Sequence, residues 1–561
     1  MTEKPTSIQE RIDEFTRAGW WGEQTISDLF DEAVANHPDR LALIDQPNRS
    51  EWLAGEVKRL TWAELRHEVE ACASALDSLG VGAGDTILVQ LPNVTEFVII
   101  YLAVAHLGAI ISPVPVQYGH HELGQITGQL QPDLFIGATR VGKNDQRGVM
   151  KSSDCANRAW IGEDVPNGDQ DLAARIEDFR GRSDAVPPRA ENDANDTYTV
   201  CWTSGTTGTP KGVPRTHNLW IAIARATYEA ALMEDGDVLL NPFPFVNMAS
   251  IGGFLVNWLH CSATMVLHHP LDLPVFLGQI QQERVTFTIA PPALLNMLLK
   301  NDELMAQFDL GSLRTIASGS APLSPWMVQG FADKYGIGVV NLFGSNEGVC
   351  LVSSTTDMPD PAQRATYFPR FGVDGIEWSA SVSKMIRTRL RDIESGEIVT
   401  RPGVVGELEL WGATIFDHYL GQDPGDPDVF TEDGYFRSGD LFEIDGDEEP
   451  PKFYRFVGRS KDIIIRGGFN ISPEELDIAL AAHPKLAEAA TVGYPDPDLG
   501  ERICVFVVPK PEQSVELSDI TAFLTEQGFA KFKLPERLET IGQLPRNALG
   551  KVVRNELRSQ L

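Results

Sequence analysis

Short apolar, β-rich runs alternate with helical patterns along most of this chain, and no other feature narrows its fold more. Residues 85–91 (DTILVQL) read as a buried strand, and residues 60–79 carry a helical pattern that opens after Thr61. The order repeats at 285–289, a strand pattern, and 293–299, a helical one. Strands separated by helices pair in parallel, and parallel sheets are covered on both faces. The expected fold class is therefore α/β, with a large N-terminal domain of mixed, largely parallel sheets and helices. At 561 residues the chain also exceeds the roughly 250–300 residues at which one core stops growing, so at least two domains are expected. A second unit starts at Lys461. It reads strand (462–465), turn (Gly467, Gly468), helix (473–483), two strands (489–494, 502–508) and helix (517–527), a small α+β domain. The expected domains are 1–460 and a mobile lid, 461–561. Residues 164–196, rich in Asp, Asn, Gly and Pro, read as a surface connection inside the first.

Charge excludes several partners. With 79 acidic against 47 basic residues, net −32, the chain repels nucleic acid and anionic lipid, both of which bind through phosphate neutralisation by Lys and Arg. Six cysteines (Cys72, Cys155, Cys201, Cys261, Cys350, Cys504) lie far apart without CxxC pairs or metal-ligand spacing, which argues against a disulfide framework or zinc site. The polar opening MTEKPTSIQERIDEF lacks a signal-peptide core, and a reduced, cytoplasmic protein is expected. Residues 97–116 approach the length of a membrane span, but His106, Gly108, Pro113 and Pro115 interrupt them. A buried helix, a Gly turn and a short strand explain the run better, so no membrane span is expected.

The chemistry begins at residues 203–212, TSGTTGTPKG, directly after an apolar strand at 198–202. Glycines let backbone N–H groups point inward, hydroxyls donate hydrogen bonds and Lys211 neutralises charge, which together suit a phosphate. The spacing is not that of a Walker loop, because Pro210 stands where its second glycine belongs. A flexible surface turn would use the same residue types, but a match of this length is unusual for one.

TSGTTGTPKG resembles the phosphate-loop signature of the adenylate-forming superfamily, which includes acyl-CoA and aryl-CoA ligases, stand-alone aryl-acid adenylating enzymes, peptide-synthetase adenylation domains and beetle luciferases. Further segments match in the same order: SGSAPL (318–323) resembles the adenine-side loop, NLFGSNE (341–347) the aromatic-Gly-x-x-Glu segment and YFRSGD (435–440) the ribose segment. GRSKDIIIRGGFNISPE (458–474) resembles the inter-domain hinge, and PRNALGKVVR (545–554) the C-terminal lysine motif. The likeness runs from about residue 26 to the end.

This resemblance implies an ATP-dependent carboxylate–CoA ligase, which joins a carboxylate to AMP, releases pyrophosphate and passes the acyl group to coenzyme A. The implied alternative is a stand-alone aryl-acid adenylating enzyme that loads the phosphopantetheine of a carrier protein. ATP, Mg2+ and coenzyme A are the implied cofactors, and a small-molecule carboxylate the partner. Implied ATP-binding residues are Thr203, Ser204, Gly205, Thr206, Thr207, Gly208, Lys211, Ser320, Ala321, Pro322, Asn341, Phe343, Gly344, Ser345, Asp440, Arg459 and Lys551. Glu347 and Thr206 are implied for Mg2+ and, with Lys551, for catalysis. A hard carboxylate suits Mg2+, a flat ring suits adenine, and an ionised aspartate accepts both ribose hydroxyls. A fixed cation offsets charge gathering in the transition state. Lys461 is the implied hinge, about which Lys551 would give way to a face carrying Gly467 and Gly468, the implied coenzyme A site.

The acid-pocket segment departs from the commoner aromatic-His pattern: residues 241–253 read NPFPFVNMASIGG, with Asn247 at or beside the His position. Asn247, Met248, Gly252, Gly319 and Val349 are the expected acid-binding residues. They describe a mostly apolar pocket with one or two polar points, suited to an aryl, alicyclic or medium-chain acid. No well-placed Asp holds an ammonium group, which disfavours an α-amino acid.

Overall fold

The computed structural model describes residues 8–151, 153–203, 209–467, 469–547 and 550–561, and of Asn470 the backbone alone. Two largely parallel sheets dominate residues 41–353. The first orders its strands Cys350–Ser353, Gly338–Gly344, Thr315–Gly319, Phe287–Ile289, Val238–Asn241, Thr264–Leu267, Leu41–Ile44 and Arg59–Thr61, parallel inside and antiparallel at both edges. The second runs Lys211–Thr216, Thr197–Thr203, Ile110–Pro113, Thr86–Gln90, Leu134–Ala138, Arg158–Ile161 and Gln170–Asp171, with its one antiparallel pair at the Lys211 edge.

Helices cover these sheets as the pattern requires. Trp62–Asp77 starts at Thr61, whose hydroxyl accepts from Glu64 N while the Glu64 carboxylate accepts from Thr61 N, a reciprocal cap. Thr95–Leu107 is buried almost all round and ends at Gly108 in the left-handed region, before the strand Ile110–Pro113. No helix among the described residues is long and apolar enough to cross a membrane.

Three features differ from the sequence reading. The connection at 164–196 contains a strand, Gln170–Asp171, and a two-turn helix, Leu172–Phe179, capped by Asp171 and sealed by buried Leu172 and Ile176. A third, wholly antiparallel sheet was not expected: Tyr367–Pro369, Phe453–Arg459, Phe436–Asp445, Val405–Gly412, Ile386–Arg391 and Ile398–Val399. The last unit also has more elements than read, because Phe469–Ile471 and Arg537–Thr540 join Ile464–Arg466, Gly500–Pro509 and Leu486–Asp496 in its sheet. Its helices are Pro473–Leu480, Leu517–Glu526 and Arg554–Arg558. Leu476, Leu480, Val505, Ile520 and Leu524 belong to a core separate from that of the large unit.

Candidate functional site

Some of the implied nucleotide residues lie at or just past the carboxyl ends of parallel-sheet strands, where open α/β sheets present their crevices, and others, Asp440 and Arg459, lie within the antiparallel sheet. Thr203 ends one strand and faces Lys211 across the hairpin. Ser204, Gly205, Thr206, Thr207 and Gly208 lie outside the described residues, as does Gly468. Ser320 and Ala321 are exposed just past the strand Thr315–Gly319, with Pro322 half-buried, and Ser320 adopts a left-handed φ of 67°. Gly319 has a packing reason for its identity: a Cβ there would lie 2.2 Å from the Leu342 carbonyl on the neighbouring strand.

Glu347 stands in a turn fastened from several sides. Gly348 N donates to Ser345 O (3.0 Å) and Ser345 N to Val349 O (3.2 Å). Phe416 N donates to Glu347 O (2.9 Å), and Thr414 Oγ1 to Gly348 O (2.9 Å). Gly348 has φ +104°, and a Cβ on it would come within 1.9 Å of Thr414 O, so only glycine fits. Beneath the turn, fully buried Arg215 donates to Asn346 O (2.8 Å), Leu219 O (2.8 Å) and Thr414 O (3.3 Å). Burial lowers its pKa to about 10. Asn346 ties the neighbouring segments together: its Oδ1 accepts from Met248 N (2.9 Å) and its Nδ2 donates to Trp202 O (3.2 Å), two residues before Ser204.

The Glu347 carboxylate is buried and accepts from the Tyr419 hydroxyl at 3.1 Å. Lys211 Nζ lies 4.6 Å from the centre of the same Tyr419 ring. Asn346 lies inside the NLFGSNE segment, but Tyr419 and Arg215 were not singled out from the sequence, and no local pattern marks them, because their partners are remote along the chain.

Asp440 and Arg459 are cross-strand partners in the antiparallel sheet, with Arg459 Nε 3.1 Å from Asp440 Oδ1. The ion pair is not aligned as a hydrogen bond, and this buried oxygen has no other donor among the described residues. Burial first, with Glu347 adding to it against the opposing Arg459 and Lys551, raises the Asp440 pKa to about 6. Ser345 Oγ is likewise buried, with no partner among the described residues. An acceptor-only oxygen and an unpartnered hydroxyl suit a nucleotide that brings ribose hydroxyls and phosphate oxygens. Phe343 is half-buried among Phe442, Phe456 and Phe368, with ring centres at 5.0, 5.6 and 5.7 Å. Gly344 is exposed beside it.

Lys551, in the small unit, lies within the electrostatic range of this site. Its turn is closed by Asn547 N donating to Lys551 O and Lys551 N to Asn547 Oδ1, both 2.9 Å. By overall surface the residue is exposed, but protein crowds its ammonium. That burial first and Arg459 second lower its pKa, while Asp440 and Glu347 oppose the shift. The lysine thus shares one electrostatic field with the implied ribose and metal carboxylates. Lys461 is exposed in the turn after Arg459, where Ser460 N donates to Gly439 O (3.1 Å) and Asp462 N to Arg459 O (2.9 Å). Gly467 has φ +57° and donates to Leu499 O at 2.7 Å.

Two expected ligands have other work. The Asn341 side chain is buried and its Nδ2 donates to Arg364 O (3.2 Å) and Ala365 O (3.1 Å), so that amide nitrogen holds a helix end and is not offered to a nucleotide. Asn247 caps the helix that follows it, its Oδ1 accepting from Ser250 N at 3.3 Å. Of the other residues expected to bind the acid, Met248 and Gly252 are neighbours: Met248 N donates to Asn346 Oδ1, and a Cβ on Gly252 would lie 3.0 Å from Met248 Sδ. Gly252 sits in a π-helical turn, Ile251–Leu255, of a kind often found at functional sites. Val349 is buried beside the Glu347 turn. A surface groove of about 680 Å³ between the N-terminal helix and residues 192–195 touches none of these residues.

Among the described residues no three His, Cys, Asp or Glu side chains could together hold a metal. A metal at Glu347 would therefore draw on ligands other than a cluster of these side chains, such as the Thr206 hydroxyl, phosphate oxygens or water.

Comparison with known proteins gives the family. The family model described as AMP-binding enzyme matches residues 30–420, and that described as AMP-binding enzyme C-terminal domain matches 475–551. Pyochelin synthase PchD of Pseudomonas aeruginosa is 29% identical over 97% of this chain and 94% of its own. The medium-chain fatty-acid–CoA ligase of Escherichia coli is 27% identical over 99% and 94%. Among solved structures, the anthranilate CoA ligase AuaEII in complex with anthranoyl-AMP superposes with a TM-score of 0.81 at 21% identity, covering 96% of this chain and 97% of that one. With both family models in order along one chain, this protein belongs to the AMP-binding enzyme family of adenylate-forming ligases.

Proposed function

We propose that this protein is an ATP-dependent carboxylate–CoA ligase. The observation that supports the reading is that Lys551, from the small unit, lies within the electrostatic field of Asp440, Arg459 and Glu347 of the large one. A carboxylate oxygen of the acid attacks the α-phosphorus of ATP, and the bond to the β-phosphate oxygen breaks, releasing pyrophosphate and leaving an acyl-adenylate. Lys551 offsets the negative charge that gathers in this step, and Lys211 lies on the pyrophosphate side. Asp440 accepts the ribose hydroxyls, and Phe343 offers its ring to adenine. Glu347, with Thr206, would hold Mg2+, which offsets phosphate charge. The thiol of coenzyme A then attacks the acyl carbon, loses its proton, and AMP leaves.

Lys551 cannot occupy the adenylate while a thiol reaches it, so the small unit, 461–561, turns about Lys461 and brings up Gly467 and Gly468. The acid is aryl, alicyclic or medium-chain, held near Met248, Gly252 and Val349, and the protein works in the cytoplasm. A second reading, transfer to a carrier-protein phosphopantetheine, is favoured by the likeness to pyochelin synthase, which is as strong as that to the CoA ligases.

The test is pyrophosphate release from Mg·ATP across a panel of aryl, alicyclic and fatty acids, with and without coenzyme A. Release sustained only with coenzyme A, for one class, is the expected result. Acid-dependent exchange indifferent to coenzyme A supports the carrier-protein reading, and silence with every acid overturns both.

A further inference from the structure

Tyr419 touches both charges that the proposed chemistry sets on the phosphate chain, and no other described side chain does so. Its hydroxyl donates to Glu347 Oε1 at 3.1 Å, and its ring lies 4.6 Å from Lys211 Nζ. The segment bearing it is pinned at both ends to the elements that carry those charges. Phe416 N donates to Glu347 O at 2.9 Å, and Leu420 N to Gly212 O, next to Lys211, at 2.8 Å. Packing of the Tyr419 ring against Phe416, centres 4.8 Å apart, further limits its rotation.

We infer that Tyr419 is a positioning residue that keeps Lys211 and Glu347 apart, so that the carboxylate stays open to a divalent cation bound with the nucleotide. The inference rests on the proposed roles of Glu347 and Lys211. A carboxylate carries two oxygens and about four acceptor sites, and one neutral donor on Oε1 leaves Oε2 able to bind a cation. A lysine free to swing onto the same carboxylate would compete with the metal through direct charge pairing. The aromatic face prevents this by giving the ammonium an attractive resting place that costs Glu347 nothing.

The test needs no knowledge of the acid. Mn2+ binding is titrated by electron paramagnetic resonance in the presence of saturating α,β-methylene-ATP, for the full chain and for Tyr419→Phe, Tyr419→Leu and Glu347→Gln. Binding of the same analogue in EDTA is measured in parallel. Loss of a hydrogen bond to a charged group makes Mn2+ bind on the order of 10-fold more weakly in Tyr419→Phe, with metal-free analogue binding unchanged. Tyr419→Leu is expected to weaken Mn2+ binding further, because Lys211 loses its ring, and thermal unfolding confirms that each variant is folded. Mn2+ affinity in Tyr419→Phe and Tyr419→Leu equal to that of the unaltered chain, with Glu347→Gln weakened, overturns the role of Tyr419 and leaves the metal site standing. Unchanged affinity in Glu347→Gln overturns the metal site itself, and with it this inference.

Discussion

Glu347 and Lys551 are both charged groups at tight turns, but they are held in opposite ways. The Glu347 turn is fastened by Thr414, Phe416, Tyr419 and Arg215, all remote in sequence and all in the large unit. Lys551 is held within the small unit: Asn547 closes the turn, Arg546 Nη1 donates to Gly550 O at 2.7 Å and its Nη2 to Glu488 Oε2 at 3.0 Å, and Arg546 pairs with Val552 as an isolated bridge. A charge built into interlocking strands is preorganised before substrate binds, whereas a charge anchored wholly within the small unit can be delivered and withdrawn with it. The first arrangement suits nucleotide binding and the second suits a step that must end before the next begins.

The strongest way to break this contrast is Lys551→Ala. If the hairpin delivers charge only to the first half-reaction, adenylate formation falls by about 10²–10³. Thioester formation from preformed adenylate should remain largely intact. Single-turnover measurement of the two halves separates them, and equal loss in both would show that Lys551 is no more detachable than Glu347.

Proton binding at Asp440 sharpens the large-unit side of the contrast. Its pKa is raised from 3.8 in an ordinary setting to about 6 in the fold. The folded protein therefore binds this proton more tightly than the unfolded chain, so the group's contribution to stability is full below about pH 4 and declines as pH rises to 6. Nucleotide affinity has the opposite sign, because the ribose hydroxyls need the ionised acceptor. Binding of α,β-methylene-ATP should weaken below pH 6, approaching about tenfold per pH unit. In Asp440→Asn the affinity should be lower but flat across pH 5–8. A wild-type midpoint near pH 4 would mean that the pairing with Arg459 outweighs burial.

Much of this site is legible in sequence because adjacent residues encode it. A strand running into TSGTTGTPKG, a Glu after Phe-Gly, an Asp after Ser-Gly and a Lys after Gly each carry their chemistry within a few positions. What supports them is not local. Arg215 meets Asn346 across 131 positions, and Tyr419 meets Glu347 across 72, so no window of sequence could pair them. The alternation of strands and helices gave the two parallel sheets, but not the antiparallel one. There the outermost strands, Tyr367–Pro369 and Ile398–Val399, have three and two residues, too short to show a period. Asn247 and Asn341 show the converse limit, since a polar residue in a matching segment can be spent on a cap or a helix end.

The smallest expected effect concerns what holds the detachable unit in its present place. Lys300, at the end of the large-unit helix Pro292–Leu299, donates through Nζ to Ala481 O at 2.6 Å, and Ala481 caps the small-unit helix Pro473–Leu480. A cation there meets carbonyls that lack intrahelical donors and the negative end of the helix dipole. The same ammonium lies 5.5 Å from the Trp326 ring centre, and burial first, then Lys510, lowers its pKa. Because the contact joins the two units, it stabilises only the orientation in which Lys551 faces Asp440. Lys300→Met removes a helix-end interaction of about 0.3–1 kcal/mol. Adenylate formation should then slow about two- to fivefold under single turnover, while thioester formation from preformed adenylate keeps its rate or gains slightly. A uniform loss in both halves would assign Lys300 to the stability of the large unit and leave the orientation of the small unit to its other contacts, such as that of Glu474 beside Gly458.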